Sequence, residues 1–155
     1  MILYHGSNFE IESIDLDLCR KGTDFGQGFY LTPIEDQAYA RAIAKVKAFG
    51  GEPVVTRWMY REDAVAKKLR MLRFDTEDLD WARFVYMNRT LEVFPENNYD
   101  IISGPVADDN LRLQFSLVRR GLLTLPELAS KLSYSQPNEQ YCFRSIASLE
   151  YLKKI

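Results

Sequence analysis

Apolar and polar positions change period several times along the chain, and each change marks the edge of an element. Ile2-Leu3-Tyr4 is a short apolar run that stops at His5-Gly6-Ser7, the pattern of a strand ending at the lip of a cleft. A glycine there lets the backbone bend sharply and lets a ligand approach its amide closely. Residues 8–22 read as irregular, with Ile11, Ile14, Leu16 and Leu18 loosely interspersed with Asp and Ser. Asp24-Phe25-Gly26-Gln27-Gly28 is a glycine-hinged loop running into a second strand, Phe29-Tyr30-Leu31-Thr32. A helix follows at once. Thr32 suits its N-cap, Pro33 its first position and Glu35 a capping box, Ala38, Ala42 and Val46 mark its apolar face, and Gly50-Gly51 stops it.

Pro53–Tyr60 alternates as a strand, with Val55, Arg57 and Met59 on one face and Val54, Thr56, Trp58 and Tyr60 on the other. A charged loop then leads to a strand around Leu69–Phe74. Asp75 or Thr76 caps a helix reaching about Arg89, with Trp81, Phe84 and Val85 at core spacing; Asn88 and Arg89 at its end read as caps, with a substrate phosphate as the alternative partner. Tyr99–Ala107 is a strand broken by a turn or bulge at Gly104-Pro105, after which Asp108 and Asp109 read as caps of the next helix, with orienting an acceptor as the alternative. Helices follow over 109–120 and 124–133, the second opened by the capping box Thr124–Glu127. Glu139–Arg144 is a last strand and Ser145–Lys154 a terminal helix. Strands and helices mix without regular alternation, which points to an α+β domain with a mostly antiparallel sheet and flanking helices, one domain over 1–155.

Composition narrows the function classes. A net charge of -2 gives no general attraction to nucleic acid or to an anionic membrane. Apolar runs fall well short of the ~20 residues a membrane helix needs, and no signal-peptide pattern opens the chain, so a cytoplasmic protein is expected. Cys19 and Cys142 fit no metal-ligand spacing and read as reduced thiols; with one histidine in the chain, no metal site is expected. One stretch departs from the acidic average: Arg57, Arg61, Lys67, Lys68, Arg70 and Arg73 face only Glu62 and Asp63. A solvated face is the default reading, and a surface for phosphate or nucleic acid the alternative.

Three stretches look unlike plain core: His5-Gly6-Ser7, Gly26-x-Gly28-Phe29-Tyr30, and Asn138-Glu139-Gln140. Each sets polar or aromatic groups beside glycine or at the start of a strand, where side chains can converge on a cleft. The two glycines open into a strand rather than a helix, so neither a Rossmann fingerprint nor a helix-dipole phosphate cradle is implied. Structural roles stand beside the functional ones. His5 reads also as a partly buried strand residue with one satisfied nitrogen, Tyr30 as a core tyrosine, and Glu139 and Gln140 as a solvated strand start.

In order and wording these stretches resemble the ADP-ribosyltransferase superfamily, in the histidine–tyrosine–glutamate branch of the poly(ADP-ribose) polymerases and diphtheria toxin. They resemble also an uncharacterised family of small bacterial proteins of that superfamily. Those proteins share the Asp-Phe-Gly-x-Gly-Phe-Tyr-Leu-Thr run, the run Gly104–Asp109, and a late Asn-x-Gln-x-x-Phe. The resemblance implies a split, mostly antiparallel sheet and NAD as substrate. It implies that His5 bonds a ribose hydroxyl, the Gly6 backbone pairs with the nicotinamide carboxamide, Ser7 contacts a ribose, and Tyr30 stacks on the nicotinamide ring. Arg41 stands where the polymerases have a second stacking aromatic.

The reaction it implies breaks the nicotinamide–ribose bond through an oxocarbenium-like transition state, which a carboxylate stabilises better than an amide. Strand alternation lets only one of Glu139 and Gln140 point into the cleft. The polymerases select Glu139 and the bacterial family selects Gln140; the reading here sets Gln140 inward and keeps Glu139 as the alternative. The implied activity is transfer of ADP-ribose to a protein or nucleic-acid acceptor with release of nicotinamide, toxin-like, with an antitoxin-like partner by analogy. Two rival readings are a binding module that keeps the fold without turnover, and an interaction domain docking nucleic acid on 57–73.

Overall fold

A computed structural model describes residues 1–62, 69–107, 109–132 and 138–155. In chain order the strands are β1 (Ile2–Ser7), β2 (Phe29–Leu31), β3 (Val54–Tyr60), β4 (Met71–Arg73), β5 (Ile101–Gly104), β6 (Gln140–Phe143) and β7 (Leu152–Lys154). The helices are α1 (Glu35–Phe49), α2 (Leu79–Thr90), α3 (Asp109–Arg119), α4 (Leu125–Lys131) and α5 (Ile146–Leu149), with a 3-10 turn over Leu16–Leu18. The fold is α+β.

The strands form two sheets, one in the order β1-β3-β7 and one in the order β2-β6-β5-β4. All neighbours are antiparallel except β4 and β5. Tyr4 and Thr32 exchange two backbone bonds of 2.8 and 2.9 Å, and among the described residues this single bridge joins β1 to the β2 segment. Beyond it the two strands part.

Alternation along each strand decides the layers. Leu3, Trp58 and Tyr60 of the first sheet pack with Phe29, Leu31, Ile101, Tyr141 and Phe143 of the second in one core. Rings meet edge to face there, Tyr60 on Phe143 at 5.1 Å and 89°, the arrangement their quadrupoles favour. Ile102 and Cys142 turn the other way into a second core with Phe25, Trp81, Val85, Leu111, Phe115 and Leu128. α2, α3 and α4 therefore cover the second sheet, while α1 lies on β1.

Several expected elements move. α1 starts at Glu35 with Ile34 at its N-cap and no side-chain cap bond. Thr32 is held in the bridge to Tyr4, and its Oγ1 accepts from the Ile34 N–H at 3.1 Å instead of capping a helix. Asp78, rather than Asp75 or Thr76, caps α2, accepting from Trp81 N–H. The expected terminal helix is a single turn, Ile146–Leu149, followed by β7, which adds Leu152–Lys154 to the edge of β3. Asn88 and Arg89 do not cap α2; both turn inward, Asn88 to Phe84 and Asn97, and Arg89 to Asp24. Trp81, Phe84 and Val85 are core, as their spacing predicts. The expected cap at Asp108 and the stretch 63–68 lie outside the described residues, as does the end of the expected helix over 124–133. Three of the four described cations flanking 63–68 are engaged through their side chains: Arg57 with Glu35, Arg61 with the Glu150 carbonyl, and Arg73 with Asp75 and Glu139.

Candidate functional site

His5 sits where β1 and β2 part. Its Nδ1 lies 2.6 Å from the Tyr30 carbonyl oxygen. A carbonyl only accepts, so Nδ1 carries the proton and Nε2 keeps its lone pair. The ring stacks on Phe29 with centroids 4.4 Å apart at 25°. Burial chiefly, and then the Lys45 ammonium, lower the imidazole pKa to about 4, against the raising effect of the Tyr30 carbonyl. At neutral pH His5 is an uncharged acceptor aimed by a main-chain anchor.

Gly6 follows, paired with Val55 across β1–β3. In an antiparallel ladder alternate residues turn their N–H and C=O to opposite edges. Tyr4 spends its pair on Thr32, so Gly6, two residues on, presents its own toward the same parting edge. Its missing side chain serves packing as well. A Cβ there would lie 1.8 Å from the Ala38 carbonyl oxygen and 2.9 Å from the Ala42 nitrogen, so only glycine lets α1 settle onto β1. That approach brings Lys45, one turn past Ala42, to 3.5 Å from His5 Nε2. Arg41 stands one turn before Lys45 and is exposed, and Ser7 is buried at the end of β1.

The loop over 23–28 is held from many sides. Asp24, buried, accepts from both Nε (2.8 Å) and Nη2 of Arg89, from Ala107 N–H at 2.9 Å and from Gln140 Nε2 at 2.8 Å. The Tyr30 hydroxyl accepts from Phe25 N–H at 2.9 Å and lies 2.8 Å from the Gly26 carbonyl and 2.9 Å from Thr23 Oγ1. Asn97 donates to the Phe25 carbonyl, and Arg144 to the carbonyls of Gln27, Asn97 and Tyr99. Gly26 takes φ +84°, open to glycine at no strain, with Asn88 and Asn97 close beside it. Burial first, with nearby Cys142, pushes the Tyr30 pKa well up, so its hydroxyl stays protonated.

Gln140 and Glu139 thus have different settings. Gln140 turns inward, 7% exposed, its Nε2 donating to Asp24 and to the Pro105 carbonyl at 3.1 Å. A glutamate in its place would set a second carboxylate against Asp24 with no proton to offer. Glu139 turns the other way, its side chain 29% exposed and 3.3 Å from Arg73. Gln37 of α1 donates to the Glu139 carbonyl at 3.1 Å. Asn138 Oδ1 accepts from Val106 N–H at 3.0 Å, tying the Gly104–Ala107 run to the start of β6.

The three sequence stretches do come together, but in two groups. His5, Gly6 and Lys45 line the parting of β1 and β2, and Tyr30, Asp24 and Gln140 form a network behind β2. The Tyr30 carbonyl links them. Asp24, Arg89 and Lys45 carry much of this arrangement; the pattern of the chain marks Asp24 only as part of its loop and Arg89 only as a helix-end residue, and does not single out Lys45. Lys45 had a local signal, lying at helical spacing from Ala38 and Ala42. Among the described residues no group of three or more His, Cys, Asp or Glu could hold a metal ion, and no helix is long and apolar enough to cross a membrane. Both cysteines are free thiols, with burial pushing the Cys142 pKa up to about 12.

With that geometry set out, comparison with known proteins gives one match. The family model described as "Protein of unknown function (DUF3990)" aligns with residues 1–154, and the chain belongs to that family. No curated protein and no solved structure matches it.

Proposed function

We propose that this chain is an NAD-dependent ADP-ribosyltransferase whose nicotinamide site lies where β1 and β2 part. The observation that carries the reading is His5: neutral, its Nδ1–H fixed on the Tyr30 carbonyl, and its Nε2 lone pair free to accept from a ribose hydroxyl. The Lys45 contact at 3.5 Å is at the outer limit of hydrogen bonding and yields readily to such a hydroxyl. The Gly6 N–H and C=O, presented side by side, suit the acceptor and donor of a carboxamide. In the reaction the bond between ribose C1′ and nicotinamide nitrogen breaks, its electron pair leaving with neutral nicotinamide. A nucleophile on a protein or nucleic acid bonds to C1′ and gives up its proton to a base. Glu139 is the carboxylate for the developing positive charge, and Gln140 holds the loop that carries Tyr30. Such a chain is toxin-like, acting in the cytoplasm and restrained by an antitoxin-like partner.

A second reading has its own observation. Gln140 is an amide committed to Asp24, and Glu139 is paired with Arg73, so neither is a free carboxylate. A protein built this way binds NAD or ADP-ribose without turnover. Nicotinamide release from NAD by the purified protein, alone and with a cell lysate, separates the two. Lysate-dependent release that His5→Ala abolishes is expected of the transferase. NAD binding with no release establishes the second reading, and absence of NAD binding refutes both.

A further inference from the structure

Among the described residues, Lys45 at the His5 edge and Arg41 on the same helix meet no carboxylate. Lys45 is half-buried against the imidazole, and Arg41 lies four residues before it, a spacing that stacks two side chains on one helix face. Among the described residues neither forms an ion pair, whereas Arg57, Arg73, Arg89 and Lys154 each meet a carboxylate. Like charges at this spacing repel, and His5, being neutral with its lone pair outward, offsets little of that. Burial first and Arg41 second pull the Lys45 pKa down, against a smaller raising effect of Cys19.

We infer that Lys45 and Arg41 form an anion subsite that takes the diphosphate of a dinucleotide, with the ribose beside it on His5 Nε2. This rests on the nicotinamide reading for its position, and reassigns Arg41 from stacking on the ring to gripping the phosphates. The chemistry fits that role: a guanidinium binds two phosphate oxygens at once, and an ammonium adds a point charge. Over a cationic nicotinamide the same guanidinium would meet like charge, whereas over a diphosphate it meets two negative charges. α1 is fixed by its contact on Gly6, so the pair is positioned before any ligand arrives.

Binding of ADP-ribose, inorganic pyrophosphate and nicotinamide to the full chain, measured by calorimetry, tests this with Lys45→Gln, Arg41→Gln and the double variant. Circular dichroism checks that each variant is folded. ADP-ribose and pyrophosphate are expected to weaken about tenfold in each single variant and more in the double, from the loss of one charge-assisted bond. Nicotinamide binding should stay within about twofold, since both residues sit away from the ring. Unchanged ADP-ribose affinity in the folded double variant overturns the subsite while leaving the NAD reading intact. Pyrophosphate binding that depends on both residues, with no binding of nicotinamide or NAD, upholds the subsite and removes the NAD reading. A wild-type chain that binds neither ADP-ribose nor pyrophosphate overturns the subsite outright.

Discussion

Gly6→Ala puts a methyl group into the contact between β1 and α1. The added carbon would stand 1.8 Å from the Ala38 carbonyl oxygen, where carbon and oxygen normally stay about 3.3 Å apart. The helix must therefore retreat by about 1.5 Å, because the obstacle is backbone and cannot rotate away. Overpacking costs about 1–3 kcal/mol, and a rigid backbone obstacle belongs at the upper end. A loss of about 3 kcal/mol lowers the melting temperature of a chain this size by roughly 6–12 °C. The same retreat carries Lys45 out of reach of His5. Urea unfolding followed by circular dichroism gives the stability, and calorimetry with ADP-ribose and with nicotinamide gives the site. A Gly6→Ala protein within about 0.5 kcal/mol of wild type refutes the packing argument. If it also loses nicotinamide affinity, Gly6 acts on the ligand and not as a spacer.

Three further outcomes follow from the polar groups. The chain's one histidine titrates well below its unfolded value, from 6.5 to about 4, so the unfolded state binds more protons in that interval. Stability is fully present above about pH 6.5 and is lost as pH falls toward 4, by on the order of 3 kcal/mol at most; urea midpoints between pH 5 and 7.5 should slope upward, and His5→Gln should flatten them. Tyr30→Phe removes the hydroxyl that Phe25, Gly26 and Thr23 share and should cost about 1–3 kcal/mol; a urea midpoint equal to wild type shows the hydroxyl to be dispensable. Gln140→Glu sets a carboxylate against buried Asp24 and should destabilise by about 2–3 kcal/mol without raising nicotinamide release; a stable, faster variant contradicts the network as described.

Local pattern made some of this legible. Thr56, Trp58 and Tyr60 alternate with exposed Arg57 and Met59 along β3, and the sequence shows that face directly. The capping box at Thr124 and the stop at Gly50 are equally local. Leu152–Lys154 is too short to show a period, and the free edge of β3 makes it a strand. Thr32 has the type of a helix cap, and local pattern does not show that its backbone is claimed by Tyr4, nearly thirty residues earlier. At the site, His5, Gly6 and Tyr30 stood out by type and by neighbouring glycine. Asp24 and Arg89 are legible only as a loop and a helix-end residue, since an ion pair between a loop and a distant helix leaves no periodic trace. The choice between Glu139 and Gln140 had the same cause: alternation states that they point apart, while what each one meets is settled by Asp24 and Arg73.

The tethers on the 23–28 loop also order events in time. Asp24 is bound to Gln140 across 116 positions, and Gln27 to Arg144 across 117. Contacts so far apart in the chain close late, after the entropy of the intervening loop has been lost. On the ribosome the first strand and α1 emerge long before β6, so a nascent chain carries His5, Lys45 and Arg41 with no assembled loop behind them. The arrangement is complete only once β6 and Arg144 have been made, and products stalled before them are left without it.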